Sequence, residues 1–140
     1  MKDLGIVVHT DGGARGNPGP SACGFVIEDG GKIIFKGSKY LGINTNNYAE
    51  YSAFVLAMEW LTSNKEKLSG KDIYFFSDSE LVVKQLTGLY KIKNEKLKVL
   101  NTRVQELSKK LGLKIFYKNI LRDKNKDADE LVNNELDRNG

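Results

Sequence analysis

The chain has 140 residues, of which 40% are hydrophobic and 29% charged, with a formal net charge of +4. That length suits one domain with a sizeable core, and no run approaches the roughly 18–20 apolar residues of a membrane span. Cys23 is the only cysteine, so an internal disulfide is excluded; with no signal-peptide pattern in Met1-Lys2-Asp3-Leu4-Gly5, a reducing, cytoplasmic setting is expected.

The apolar run from Leu4 to Val8 predicts a first strand over Leu4–Asp11. It leads into Thr10-Asp11-Gly12-Gly13-Ala14-Arg15-Gly16-Asn17-Pro18-Gly19-Pro20, which holds both prolines of the protein. Glycine permits unusual backbone angles and close approach, and proline fixes φ. A shaped turn just past the strand end is therefore expected, with Asp11 at its root. Ala22–Glu28 and Lys32–Lys39 predict two more strands, and the Asp29-Gly30-Gly31 step between them reads as a hairpin.

Tyr51, Phe54, Val55, Met58 and Leu61 recur at helical spacing and predict a helix over 47–62, capped by Asn46 or Asn47. A short strand over Lys71–Ser77 ends at Asp78. Helices follow over Glu80–Thr87 and Asn94–Leu111, the second carrying a stripe of Leu97, Leu100, Val104, Leu107 and Leu111 and stopped by Gly112. Lys114–Ile120 is the fifth strand and Lys124–Asp137 the closing helix. The order β β β α β α α β α predicts an α/β (mixed α+β) domain. Its five-stranded mixed sheet has three antiparallel strands first and parallel pairing afterwards, flanked by about four helices.

Four acids sit at the ends of these elements. Glu50 shares a helix face with Phe54, Ala57 and Leu61, where an unpartnered carboxylate is costly; a capping box from Asn47 is its alternative role. Asp78 lies at the carboxyl end of a strand, where open sheets bind ligands, or else caps the next helix. Asp129 shares a side of the last helix with Val132 and Leu136, or else favours the helix dipole. With Asp11 they make a set able to face inward together, and carboxylate clusters hold hard cations such as Mg²⁺. No Cys/His zinc spacing is present. The lone histidine, His9, reads as a packed strand residue, with a neighbour of the site as its alternative.

Lys91, Lys93, Lys96 and Lys98 form one basic cluster, and Lys118, Arg122, Lys124 and Lys126 a second. A basic surface around an acidic pocket suits a polyanion attacked with metal help; a solvated lysine face is the plain alternative.

Thr10-Asp11-Gly12-Gly13 with Gly16-Asn17-Pro18-Gly19-Pro20, Thr45-Asn46-Asn47 with Ala49-Glu50, Ser77-Asp78-Ser79, and Asn125 with Ala128-Asp129 and Leu131 together resemble the type 1 ribonuclease H family, in order and across essentially the whole chain. The resemblance implies an endonuclease that cuts the RNA strand of RNA–DNA hybrids by a two-metal mechanism. It leaves 5′-phosphate and 3′-hydroxyl ends and uses Mg²⁺, with Mn²⁺ as a substitute. It implies Asp11, Glu50, Asp78 and Asp129 as catalytic and metal-binding acids. Thr45, Asn46, Asn47, Asn17 and Arg122 would contact substrate, Ala14 would make a backbone contact and Glu80 would lie beside the scissile region. Arg122 stands where many relatives carry a loop histidine, and the basic protrusion after the second helix is missing. Residues 1–140 are expected to form one catalytic domain, monomeric, with no preceding hybrid-binding domain. Two rival readings are an inactive nucleic-acid-binding module of this fold and a related metal nuclease preferring another duplex.

Overall fold

The computed structural model describes residues 5–139. The strands are β1 (Ile6–Ala14), β2 (Gly19–Asp29), β3 (Lys32–Asn44), β4 (Ile73–Ser77) and β5 (Ile115–Asn119). The helices are α1 (Asn46–Ser63), α2 (Glu80–Leu86), α3 (Glu95–Leu111) and α4 (Lys126–Asn139). The sheet order is β3-β2-β1-β4-β5, with β1–β2 and β2–β3 antiparallel and β1–β4 and β4–β5 parallel. This is the mixed five-stranded sheet expected from the element order. Two short 3₁₀ turns, Lys65–Leu68 and Arg122–Lys124, were not foreseen.

Several boundaries differ. The expected start at Leu4 lies outside the described residues. At its other end β1 does not stop at Asp11 but runs on to Ala14, pairing Gly12 with Cys23, Gly13 with Ala22 and Ala14 with Ser21. Strand pairing satisfies the backbone there whatever the low strand propensity of glycine, so Asp11 sits within a strand and the true loop shrinks to residues 15–18. β2 and β3 are correspondingly longer than predicted. The cap of α1 is Thr45, whose hydroxyl accepts from the Tyr48 amide at 3.2 Å, and not Asn46 or Asn47. Ser79, not Asp78, caps α2, accepting from the Val82 amide at 3.3 Å.

Period-2 alternation splits β1 between two layers. Ile6 and Val8 join Phe25, Ile27 and Phe75 beneath Tyr51, Phe54, Met58 and Leu61 of α1 and Val104, Leu107 and Leu111 of α3. Burial of each large apolar side chain there contributes roughly 2 kcal/mol. On the opposite face α4 sets Val132 and Leu136 against Ala22.

Both helix layers come close to the sheet next to Asp11 because glycines let them. A Cβ on Gly12 would lie 2.3 Å from the Ala49 carbonyl carbon and oxygen and 2.5 Å from the Glu50 nitrogen. Gly24, paired directly with Asp11, would carry a Cβ 2.9 Å from the Leu131 Cβ. Gly12→Ala is thus expected to cost about 3 kcal/mol or more, because backbone on both sides must move. Urea denaturation measures this, and a loss under about 1 kcal/mol would contradict the close approach.

Candidate active site

β1 delivers Asp11, the start of the second turn of α1 delivers Glu50, and the step from β4 into α2 delivers Asp78. One carboxylate oxygen from each lies within 4.8 Å of the others. Asp11 is 6% and Glu50 9% exposed, so the cluster is largely shielded from water. The capping-box role for Glu50 does not occur, since Thr45 takes the cap and the Glu50 carboxylate turns to the other acids. Asp129, near the start of α4, stands beside the trio rather than in it, with its charge near enough to raise the Asp11 carboxyl. All four acids line one open cleft of about 820 Å³.

The electrostatics follow from burial and like charge. Burial pushes the Asp11 carboxyl up to about 8, helped by the nearby charges of Asp78 and Asp129 and opposed by the Gly12 amide. Glu50 is raised for the same reasons, burial first, then Asp11 and Asp78. Asp78 is raised by burial but pulled back by the Arg122 guanidinium and the Asn125 amide. Glu50 Oε1 is fully buried with no hydrogen-bond partner. Repelling carboxylates and an unpaired buried oxygen are the arrangement a divalent cation would satisfy, and the all-oxygen donor set suits a hard ion.

The remaining predicted site residues divide. Asn46 lines the cleft; its Oδ1 accepts from the Ala14 amide at 2.8 Å, and its own amide N–H donates to Asn17 Oδ1 at 3.0 Å. The Ala14 N–H is therefore spent inside the protein. With both side-chain oxygens engaged, the side-chain amide groups of the exposed Asn17 and Asn46 are left as donors. Asn17, Thr45 and Asn47 are not part of the cleft wall. Arg122 lies on its lip, 79% exposed, with its guanidinium 3.5 Å from Asp129. It is the only member of either basic cluster that lines the cleft. Glu80 also lines it, paired with Lys84 at 3.0 Å. His9 takes the packed-strand role, stacked on Phe76 and 3.6 Å from Glu28, away from the cleft.

Three positioning contacts were not foreseen, although Asn125 already stood in the last of the motifs. Asn125 is 1% exposed and donates to the Thr10 carbonyl at 2.8 Å, fastening the start of α4 to β1. Asn133, one helical turn beyond Asp129, donates to its carboxylate at 3.4 Å. Arg15 reaches from the glycine-rich loop to Asp137 at 2.8 Å. The i, i+4 spacing of Asp129 and Asn133 was a usable signal; nothing local marks the contact of Asn125 with Thr10 or of Arg15 with Asp137.

A mixed sheet and its first helix that gather carboxylates from β1, from α1 and from the end of β4, with a fourth alongside, define an acid-cluster α/β domain able to hold divalent metal. The profile of the ribonuclease H family matches residues 3–137. The chain belongs to the ribonuclease H family. Ribonuclease HI of Halobacterium salinarum is 38% identical over 139 residues, covering 96% of this chain and 67% of that protein. A bifunctional protein of Mycobacterium tuberculosis is 33% identical over 134 residues, 94% of this chain but 35% of its own length. The chain thus spans about a third of the length of the mycobacterial relatives it matches. Among solved structures, LC11-RNase H1 in complex with an RNA/DNA hybrid superposes with a TM-score of 0.89 at 40% identity, covering 96% of this chain and 98% of that one. RNase H1 of Halobacterium salinarum gives a TM-score of 0.85 at 36% identity, covering 95% and 98%.

Proposed function

We propose that this domain hydrolyses the RNA strand of RNA–DNA hybrids, leaving 5′-phosphate and 3′-hydroxyl ends, with Mg²⁺ as its ion and Mn²⁺ as a substitute. Asp11, Glu50, Asp78 and Asp129 are the catalytic acids, and they are the residues that would hold two ions. The carrying observation is the convergence of Asp11, Glu50 and Asp78 within 4.8 Å. Divalent ions held by these carboxylates would supply an acidified water and neutralise charge on the phosphate and the leaving oxygen.

The protein's own groups do the rest. Four acids without cations would repel a phosphodiester, so substrate and metal binding are coupled by charge. Arg122 adds fixed positive charge at the lip; as a guanidinium it cannot move protons near neutral pH. The outward amides of Asn17 and Asn46 donate to 2′-hydroxyls or minor-groove acceptors, with Asn47 and Thr45 flanking them. Selection of a hybrid then rests on groove shape and the 2′-hydroxyl rather than on base identity. α2 passes to α3 through residues 87–94 without an inserted protrusion, so hybrid affinity depends on this smaller surface. Residues 1–140 act as one monomeric catalytic unit. The lone buried Cys23 fits a reducing, cytoplasmic setting.

The experiment is cleavage of end-labelled, sequence-matched RNA–DNA, RNA–RNA and DNA–DNA duplexes with Mg²⁺. Cutting confined to the RNA strand of the hybrid and stopped by EDTA is expected. Equal cutting of RNA–RNA would redirect the assignment to another duplex, and retention of the hybrid without cutting would leave a binding module.

A further inference from the structure

A second built feature lies far from the acids. Trp60 is ten residues along α1 from Glu50, about 15 Å on the helix rise. There the sheet ends at β3, which pairs only with β2 and leaves its outer main-chain groups without a partner strand. Between two register shifts, Phe35–Tyr40 is a straight, unbulged run of free edge. Alongside it Phe25, Phe35, Leu56 and Trp60 line a groove of about 370 Å³. Its floor is open because Gly37 has no side chain: a Cβ there would stand 2.6 Å from the Phe25 ring. Next to it Ile33, Ile34 and Phe35 are 46%, 41% and 38% exposed. Consecutive exposed apolar residues on an edge strand are unusual and mark an interaction surface.

The charge around the groove selects the occupant. β3 carries Lys32, Lys36 and Lys39 and no acid. None of these lysines has an ion-pair partner among the described residues. Lys39 lines the groove itself, and the one acid that does, Glu59, is held by Arg103 at 3.6 Å. A second copy pairing edge to edge would set lysines against lysines, which is destabilising. Single-stranded nucleic acid would need open aromatic faces, but Phe35 and Trp60 are stacked on each other at 5.0 Å and Phe25 packs against Phe35 at 5.8 Å.

We infer that the β3 edge and the Phe25–Phe35–Trp60 groove dock an extended segment of a partner protein, acidic along its length and bulky-apolar where it meets the groove. The segment adds as a sixth strand on Phe35–Tyr40, the mode in which main-chain bonds give affinity and pockets give specificity. Its acids on the groove side face Lys32 and Lys39, and those on the other side of the strand face Lys36. The site is independent of the acid cleft and stands or falls apart from the proposed cleavage.

Trp60 is the only tryptophan, so its emission reports the groove directly. The probes are a set of tryptophan-free decapeptides, each with four acidic residues followed by leucine, isoleucine and phenylalanine in varied order. A saturable change in Trp60 emission is expected with at least one of them. It should be weakened at least tenfold by Lys39→Glu, by exchanging the peptide's acids for lysines and by 0.5 M salt, with hybrid cleavage by Lys39→Glu unchanged. The inference is overturned if no acidic peptide saturates below 1 mM or if the lysine peptides bind equally. It is also overturned if protein concentration alone shifts the emission with a doubled mass in light scattering, or if an oligonucleotide produces the change and the peptides do not.

Discussion

Asp11→Asn is expected to abolish hybrid cleavage, lowering kcat by about 10³-fold or more, with the fold intact. Asp11 lies in the trio with Glu50 and Asp78, and the charges of Asp78 and Asp129 both act on its carboxyl. Asparagine keeps its shape and removes the charge that would hold a cation. A loss of 10³ corresponds to about 4 kcal/mol of barrier, within the scale seen when a preorganised electrostatic group is deleted. Steady-state cleavage with saturating Mg²⁺, beside a circular-dichroism melt, makes the measurement. Retention of more than about a tenth of the parent rate would remove Asp11 from its proposed role. Mg²⁺ affinity by calorimetry supplies a reading independent of turnover and should fall in the same variant.

The metal-free protein is expected to become less stable as pH rises from about 4 towards 8. Asp11 titrates at about 8 when folded against an ordinary 3.8, and Glu50 is raised with it. Between these values the folded state holds protons that the unfolded chain has released. Stability from this source is therefore complete below about pH 4 and is lost as pH rises through 8. Allowing for the coupling between the two acids, the loss is on the order of 3 kcal/mol. Denaturant titrations in EDTA at pH 4–9 measure it, with Asp11→Asn as the reference because it lacks most of the slope. The variant should be the more stable protein at pH 8 without metal, and Mg²⁺ should close the gap by stabilising only the parent. A parent that gains stability over this window relative to the variant would show that the acids do not burden the fold. Together the two results describe a site whose strain is tied to its use, the usual origin of a conflict between stability and activity.

Much of this is legible in the sequence. The helical stripes of α1 and α3, the Asp-Gly-Gly hairpin and the Gly112 stop are local signals, and local signals survive folding. The four acids stood out because each combined a costly position with a strand end or helix start. What sequence reasoning missed depends on partners distant in the chain. The extension of β1 to Ala14 needs Ser21, Ala22 and Cys23 across from it, and no window along β1 contains them. Thr45 and Ser79 outcompete the neighbouring Asn and Asp as caps because those neighbours are engaged elsewhere: Asn46 with Ala14 and Asn17, Asp78 with the acid cluster. Asn125 meets the Thr10 carbonyl from 115 residues away, a contact that exists only once α4 has docked. The β3 groove was invisible for a related reason: Gly37 looks like an ordinary strand glycine until Phe25 is seen beneath it.

The pair Gly12 and Gly24 has a broader consequence for engineering. Where main chain rests on main chain, the spacing of the acids is set by peptide geometry, which hardly varies, and not by the bulk of interior side chains. Repacking Phe54, Met58 or Leu107 with other apolar residues should therefore soften the domain well before it detunes the cleft. The fold offers a tolerant chassis, to be redesigned for heat or solvent resistance with its chemistry left in register.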